Sequence, residues 1–213
     1  MKVAVQNNAK VLALFAIACT ALVSLVSWFT KDTIMRQQQQ QLLNTLYEVI
    51  PAMSLNNDLY HDCQIIQGND YLGNTEQQTA YIARMDNIPV AVAITSTAPD
   101  GYNGKINLMV ALNVDGSVSG VRVLKHQETP GLGDKIETRK NDWIYSFDNK
   151  TVESVNDLRW AVKKDGGMFD QFTGATITPR AVVKAVKNTA LFFNENKDDI
   201  LAAPTSTCGE SND

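Results

Sequence analysis

Residues 106–124 read INLMVALNVDGSVSGVRVL, and this stretch decides the fold. Two runs rich in apolar and β-branched residues, 106–114 and 118–124, stand on either side of Asp115-Gly116. Runs of this kind are typical of strands, and Asp-Gly tolerates the positive φ angles of a tight hairpin turn. The stretch therefore predicts a pair of antiparallel strands.

Neighbouring runs extend this hairpin to a sheet. Residues 80–84 and 89–97 are two further predicted strands, so we expect a meandering, mainly antiparallel sheet. Downstream, residues 134–147 and 155–164 predict short helices or mixed segments.

The most regular helical pattern lies near the end of the chain. Thr178 suits the N-cap, and Pro179 suits the first helical position, where its missing N–H would have no partner. An apolar stripe follows at three- and four-residue steps, which predicts a helix packed in the core. The stripe comprises Val182, Val183, Val186, Ala190 and Phe193.

An uncharged stretch near the N-terminus predicts a membrane anchor. Residues 11–30 read VLALFAIACTALVSLVSWFT between Lys10 and Lys31, which is long enough to span a bilayer. A cleaved signal peptide is the alternative, because Ala16-Ile17-Ala18 resembles a cleavage site, and the same segment resembles a lipoprotein box. The apolar run continues well beyond Cys19, however, which favours an uncleaved anchor.

Charges beside this stretch predict its orientation. Lys2, Lys10 and the amino terminus have no acid near them, whereas Lys31 and Arg36 on the other side are partly offset by Asp32. Positive flanks face the cytoplasm. We therefore expect a single-pass protein of a bacterial inner membrane, with a cytoplasmic N-terminus and a periplasmic main domain.

The predicted fold class is α+β, with one transmembrane helix followed by a single extracytoplasmic domain in which a mainly antiparallel sheet packs with helices. The predicted segments are a cytoplasmic N-terminus (1–10), the transmembrane helix (11–30), a helical stalk (31–51), the folded domain (52–195) and a C-terminal tail (196–213).

Composition narrows the function. The 213 residues carry a net charge of −4, and the sequence has no cluster of basic residues long enough to follow a phosphate backbone. We therefore expect no nucleic-acid partner. GxGxxG, CxxCH and Cys-rich iron–sulfur patterns are missing, and only two histidines occur, so we expect no metal site. No residue pattern indicates a catalytic acid, base or nucleophile.

Cys63 and Cys208 predict a disulfide, because an even number of cysteines lies outside the anchor in an oxidising compartment.

Residues 165–180 read DGGMFDQFTGATITPR and end at the predicted helix. A helix N-terminus exposes unpaired N–H groups and partial positive charge, which favours a phosphate there. Thr176 could therefore lie beside a phosphate, although the residues alone favour a plain Gly-Ala-Thr turn, which is common before a helix.

This segment resembles the modification motif of the FMN-binding domain family, which occurs in Rnf-type complexes and in sodium-pumping NADH:quinone oxidoreductases. The family motif is Asp, two variable residues, Ser or Thr, Gly, Ala, and Ser or Thr. A flavin transferase joins the phosphate of FMN to the last hydroxyl. The matching residues are Asp170, Thr173, Gly174, Ala175 and Thr176.

The resemblance implies that Thr176 carries covalent FMN and that residues 52–195 form an FMN-binding domain. The loop Glu128-Thr129-Pro130-Gly131-Leu132-Gly133 resembles the family's loop against the isoalloxazine ring. Pro130 fixes one φ angle there, and Gly131 and Gly133 permit close backbone approach. Further residues that the resemblance brings toward this pocket are Tyr102, of the string Gly101-Tyr102-Asn103-Gly104, and Lys164, beside Lys163 and Asp165.

Within the family, the chain is most similar to the Rnf branch. Four features carry this likeness: the chain length, the single anchor, the string WAVKKDGG at 160–167 and the late Cys208. This likeness implies an electron carrier in a membrane complex that couples electron transfer between NADH and ferredoxin, or a related acceptor, to ion translocation. The implied partners are other subunits, a flavin transferase and membrane lipid. Two alternatives are a non-redox membrane-tethered scaffold and the related FMN-binding subunit of the sodium-pumping NADH:quinone oxidoreductase.

Overall fold

The computed structural model describes residues 2–50 and 55–202, and it divides into two compact units after Asn44. The first unit is the main part of helix α1, Lys2–Val49. Within α1, the segment from Gln6 is long and apolar enough to cross a membrane, a property that a signal sequence shares. Large apolar side chains between Val11 and Met35 are exposed along it.

The second unit, which we call the head, begins at Thr45 and contains a five-stranded antiparallel sheet. Its strands follow one another in space as in sequence: β1 Cys63–Ile66, β2 Gln78–Met85, β3 Ile88–Ala98, β4 Ile106–Asn113 and β5 Val118–Lys125. This meander and the helices around it confirm the predicted α+β class. All four predicted strands are present.

The hairpin between β4 and β5 confirms the antiparallel pairing predicted from Asp115-Gly116. Its turn is wider than the dipeptide, because the amide of Asn113 bonds to the carbonyl of Ser117 at 2.8 Å, and only Gly116 of the two has a positive φ. The tightest turn instead joins β2 to β3 through Asp86 and Asn87, which both have positive φ.

Helix α2, Ile177–Ala202, packs against β3 and β4, and every residue of its predicted apolar stripe is buried. The helix begins one residue before the predicted N-cap. Thr178 lies inside the first turn, whereas the carbonyl of Thr176 accepts the amide of Arg180 at 3.3 Å. The predicted cap was therefore wrong, and Thr176 precedes the helix.

Between β5 and α2 the helical structure consists of three short 3₁₀ turns: Gly133–Ile136, Asp142–Phe147 and Lys163–Asp165. The prediction of short helices or mixed segments holds for 134–147, whereas in 155–164 the only helical residues are those of the turn that begins at Lys163. The buried Asp157 carboxylate accepts the backbone amides of Glu153 and Arg159, and such local bonds compete with helix formation.

The last turn of α1 packs within the head. Leu46, Val49 and Ile50 are buried. The carbonyl of Val49 accepts the hydroxyl of Ser119 at 2.7 Å, and Arg122 binds the Glu48 carboxylate at 2.8 Å. The finer segment boundaries at residues 51 and 195 stay a prediction.

Candidate functional site

The segment before α2 is a tight turn on a rigid base. The amide of Ala175 donates to the carbonyl of Phe172 at 3.1 Å, and Gly174 has a φ of +81°, which suits the third position of a type II turn. Phe172 is buried against Trp143, whose indole N–H donates to the carbonyl of Asp170 at 2.7 Å. These contacts fix the base of the turn, and its two central residues, Thr173 and Gly174, are exposed.

Thr176 follows this turn directly and is partly exposed at the N-terminus of α2. The amides of Ile177 and Thr178 lie in the first turn, where an α-helix supplies no acceptor. The partial positive charge of the helix end adds to them. Thr176 therefore directly precedes a helix end of the kind that stabilises a phosphate.

A cavity of about 230 Å³ opens beside Thr176. Its wall combines the loop after β5, the loop before β4 and the first turn of α2. The lining residues are Tyr102, Glu128, Thr129, Leu132, Gly133, Gly174, Ala175, Thr176, Ile177 and Thr178.

Glu128 is the charged residue of this cavity wall, and it is 4% exposed. Its carboxylate accepts the backbone amide of Asn103 at 3.1 Å and the hydroxyl of Thr178. Gly133 leaves room for it, because a Cβ there would lie 2.9 Å from the Cβ of Glu128. Glu128 thus ties three segments of the site together.

His126 and Glu137 brace this loop from behind. His126 Nδ1 accepts the amide of Glu128 at 3.0 Å, and its Nε2 lies 2.8 Å from the Glu137 carboxylate. Hydrogen bonds from Arg139 first, and then from His126, hold the pKa of Glu137 below its usual range. Glu137 therefore stays ionised and keeps the His126 ring in place.

The structure brings seven sequence-predicted residues into the cavity wall: Tyr102, Glu128, Thr129, Leu132, Gly174, Ala175 and Thr176. Four others lie outside the wall: Gly131, Thr173, Asp170 and, in the 3₁₀ turn Lys163–Asp165, Lys164. Asp170 pairs with Lys163 at 2.6 Å, and the Lys164 amide donates to Gln171. Asp165 forms two 2.6 Å bonds with Arg180, which hold the pKa of its carboxyl below the usual range.

Sequence reasoning missed the cavity roles of Ile177 and Thr178, and it gave Gly133 only a general role. The N-cap prediction for Thr178 implies that its hydroxyl bonds to an amide of its own helix, whereas in the structure the hydroxyl donates to Glu128. The available signal was Glu128 itself. A carboxylate that is buried needs hydrogen-bond donors, and the hydroxyl of Thr178 is one of the donors that the fold supplies.

Cys63 is buried at the start of β1. Cys208 lies outside the described residues, so its pairing with Cys63 stays a prediction.

Comparison with known proteins agrees with this geometry. Residues 101–190, which include the whole cavity wall, match the FMN-binding domain family, and residues 1–49 match the RnfG N-terminal region. This part of the head is therefore an FMN-binding domain.

Relatives named as the G subunit of the ion-translocating oxidoreductase complex match almost the full chain. Identity is 52% for the Shewanella loihica protein, over 97% of each chain. It is 51% for the Vibrio atlanticus protein, over 97% of this chain and 99% of the relative. The chain belongs to this RnfG family. The resemblance drawn from the sequence is confirmed, and the alternative assignment to the sodium-pumping quinone reductase is not supported.

Proposed function

We propose that the chain is a membrane-anchored electron carrier whose FMN is attached to Thr176 by a phosphoester. The observation that carries the proposal is the position of Thr176, directly before α2 and in the wall of a cavity whose residues all belong to the part of the chain that matches the FMN-binding domain family. Bound there, FMN supplies reversible electron storage.

The residues of the site fit such a group. The first-turn amides of Ile177 and Thr178 suit the phosphate, and Tyr102 and Leu132 offer apolar surface to a ring. Glu128, held by two donors, places a carboxyl group in the wall. Nearby charge and hydrogen bonds are the means by which a protein tunes a flavin.

Asp170, Thr173 and Gly174 have a different role in the proposal, because they lie in the outward turn before the acceptor. A flavin transferase would recognise them during maturation. Lys164 and Gly131 stay predictions as ring neighbours, since neither lines the cavity.

The proposed setting is a complex that couples electron transfer between NADH and ferredoxin, or a related acceptor, to ion movement. Support comes from the relatives' shared name and from the match of residues 1–49. Other subunits of that complex and membrane lipid would be the partners of the chain.

We further propose that the head lies in the periplasm of a bacterial inner membrane. Alkaline phosphatase fused after Asp213 should be active, since that enzyme needs an oxidising compartment. An inactive fusion at normal expression would reverse the topology.

Two alanine variants test the attachment site. Protein made together with a flavin transferase should fluoresce as a denatured gel band, and Thr176→Ala should lose that signal while it stays folded. Thr173→Ala, on the turn just before the acceptor, is the matched control and should keep some label. A colourless wild-type protein would instead favour the non-redox scaffold, and a fluorescent Thr176→Ala would place the flavin elsewhere.

A further inference from the structure

His126 lies between the end of β5 and the 128–133 loop, which forms part of the cavity wall. Its side chain is only 13% exposed. Nδ1 accepts the backbone amide of Glu128 at 3.0 Å, and Nε2 lies 2.8 Å from the Glu137 carboxylate. His126 is therefore the link between the first residue of the loop and the turn behind it.

The two partners of the His126 ring fix its protonation state. A backbone amide can only donate, so Nδ1 must be an acceptor and carries no proton. The Glu137 carboxyl is ionised, because hydrogen bonds from Arg139 first, and then from His126, hold its pKa below the usual range. An ionised carboxylate can only accept, so Nε2 must carry the ring's proton. The structure therefore contains the neutral form of His126.

A second proton on His126 would go to Nδ1 and would remove the acceptor of the Glu128 amide. In the charged ring both nitrogens are donors, so two N–H groups would then point at each other. Glu128 is buried, and a buried amide without an acceptor is costly. The loop conformation seen here and a charged His126 therefore exclude each other.

We infer that His126 is a positioning residue whose protonation releases the 128–133 loop. Neutral His126 holds the loop in the cavity wall. Acid favours a displaced loop, because a conformation that binds a proton better gains population as the pH falls. The loop supplies four of the residues that line the cavity. The consequence for FMN rests on the proposed function: acid would loosen the flavin site from the side of this loop.

Charged groups of both signs come from the elements around His126. Glu137 favours the charged ring, although Arg139 binds Glu137 and weakens this effect. Lys105 and Lys125 disfavour the charged ring, and they line a second cavity of about 260 Å³ together with His126. The remaining charged residues of these segments are Glu128, Asp134, Lys135 and Lys140. Histidine ordinarily changes its charge between about pH 5 and pH 8, and this is the range to test.

Amide hydrogen exchange of the full-length protein in detergent tests the inference, because it reports on the Glu128 N–H group itself. Each rate is divided by that of an unstructured peptide at the same pH. This relative rate at Glu128 should be about fivefold higher at pH 5.5 than at pH 8, as the loss of one hydrogen bond predicts. His126→Asn keeps an acceptor near the Nδ1 position but gains no proton, so its relative rate should stay low at both pH values.

The matched control is His61→Asn, which changes the only other histidine of the chain, at an exposed site beside Asp58. It should keep the wild-type difference between the two pH values. Equal relative rates in the wild type would show that His126 is a fixed support, and this would overturn the inference. A difference that persists in His126→Asn, or one that disappears in His61→Asn, would overturn it as well.

Two further samples separate this inference from the proposed function. Thr176→Ala, which should carry no flavin, should show the same exchange difference as the wild type, and its absence there would overturn the inference. In the flavin-loaded wild type, the absorbance of the oxidised flavin should shift over the same pH range. Exchange that changes without any spectral shift would count against the proposed place of the flavin ring and would leave the role of His126 supported.

Discussion

The hydroxyl of Thr178 donates a hydrogen bond to the buried carboxylate of Glu128, and this bond joins the first turn of α2 to the loop after β5. The two residues are fifty positions apart. Through this contact, the helix that begins after Thr176 and the loop expected at the ring form one wall.

Replacing Thr178 with Val should remove this donor and leave the Glu128 carboxylate buried with one partner fewer. A lost hydrogen bond to a buried charged group costs about 1–3 kcal/mol. Thermal unfolding of the detergent-solubilised protein should shift to lower temperature by a matching amount. Thr173→Val, on the exposed turn, is the control. Equal unfolding temperatures for Thr178→Val and wild type would show that the bond contributes nothing.

Gly133→Ala should alter the cavity more than Gly131→Ala. A Cβ at 133 would lie 2.8 Å from the Thr178 hydroxyl, whereas a Cβ at 131 meets nothing within 4 Å. Gly131 has a φ of +77°, so alanine there costs only about 1–2 kcal/mol of backbone strain. We expect the flavin absorbance spectrum to change more for Gly133→Ala than for Gly131→Ala. A larger spectral change for Gly131→Ala would show that the Gly131 part of the loop, and not Gly133, lies against the ring.

Asp157 should make the head sensitive to acid. Hydrogen bonds from Arg159 hold the pKa of this buried carboxyl far below its ordinary value of 3.8. A depressed folded-state pKa stabilises the protein above the unfolded value, and this stabilisation is lost as pH falls below about 4. Denaturant unfolding between pH 3 and pH 6 should therefore show a smaller loss on acidification for Asp157→Asn. Identical pH profiles would contradict this assignment.

Arg122 should hold the end of α1 on the sheet. Its side chain bonds to the carboxylate and the carbonyl of Glu48 and lies 4.8 Å from the ring centre of Tyr145. Arg122→Met keeps the length but loses these bonds, so we expect about 1–3 kcal/mol less stability. Amide exchange at Val49 and Ile50 should become faster. Lys105→Met, at an exposed and longer ion pair, is the control. Unchanged exchange in Arg122→Met would mean that apolar packing alone holds the turn.

Much of this fold could be predicted because its signals are local. The alternating runs of β2 to β5 and the apolar stripe of α2 each follow from side chains close in sequence. Strand β1 was missed, since Cys63–Ile66 is only four residues long and leaves Ile65 exposed at the sheet edge. A pattern this short carries no clear period.

Site contacts were harder to predict because they join distant segments. The turn at Gly174 and the proposed role of Thr176 follow from the motif, but the partners of Glu128 are Asn103 and Thr178, from two other segments. Only the folded sheet and helix bring them together. Residues 155–162 differ, because local bonds of the Asp157 carboxylate to two backbone amides, and not backbone propensity, decide the structure there.

The most direct test of the central claim is a peptide mass spectrum of wild-type protein purified from its native membrane. We predict one peptide within residues 165–180 that is heavier by one FMN less one water, with the fragment ions placing the added mass on Thr176. An unmodified Thr176 peptide, or the flavin mass on any other residue, would contradict the account.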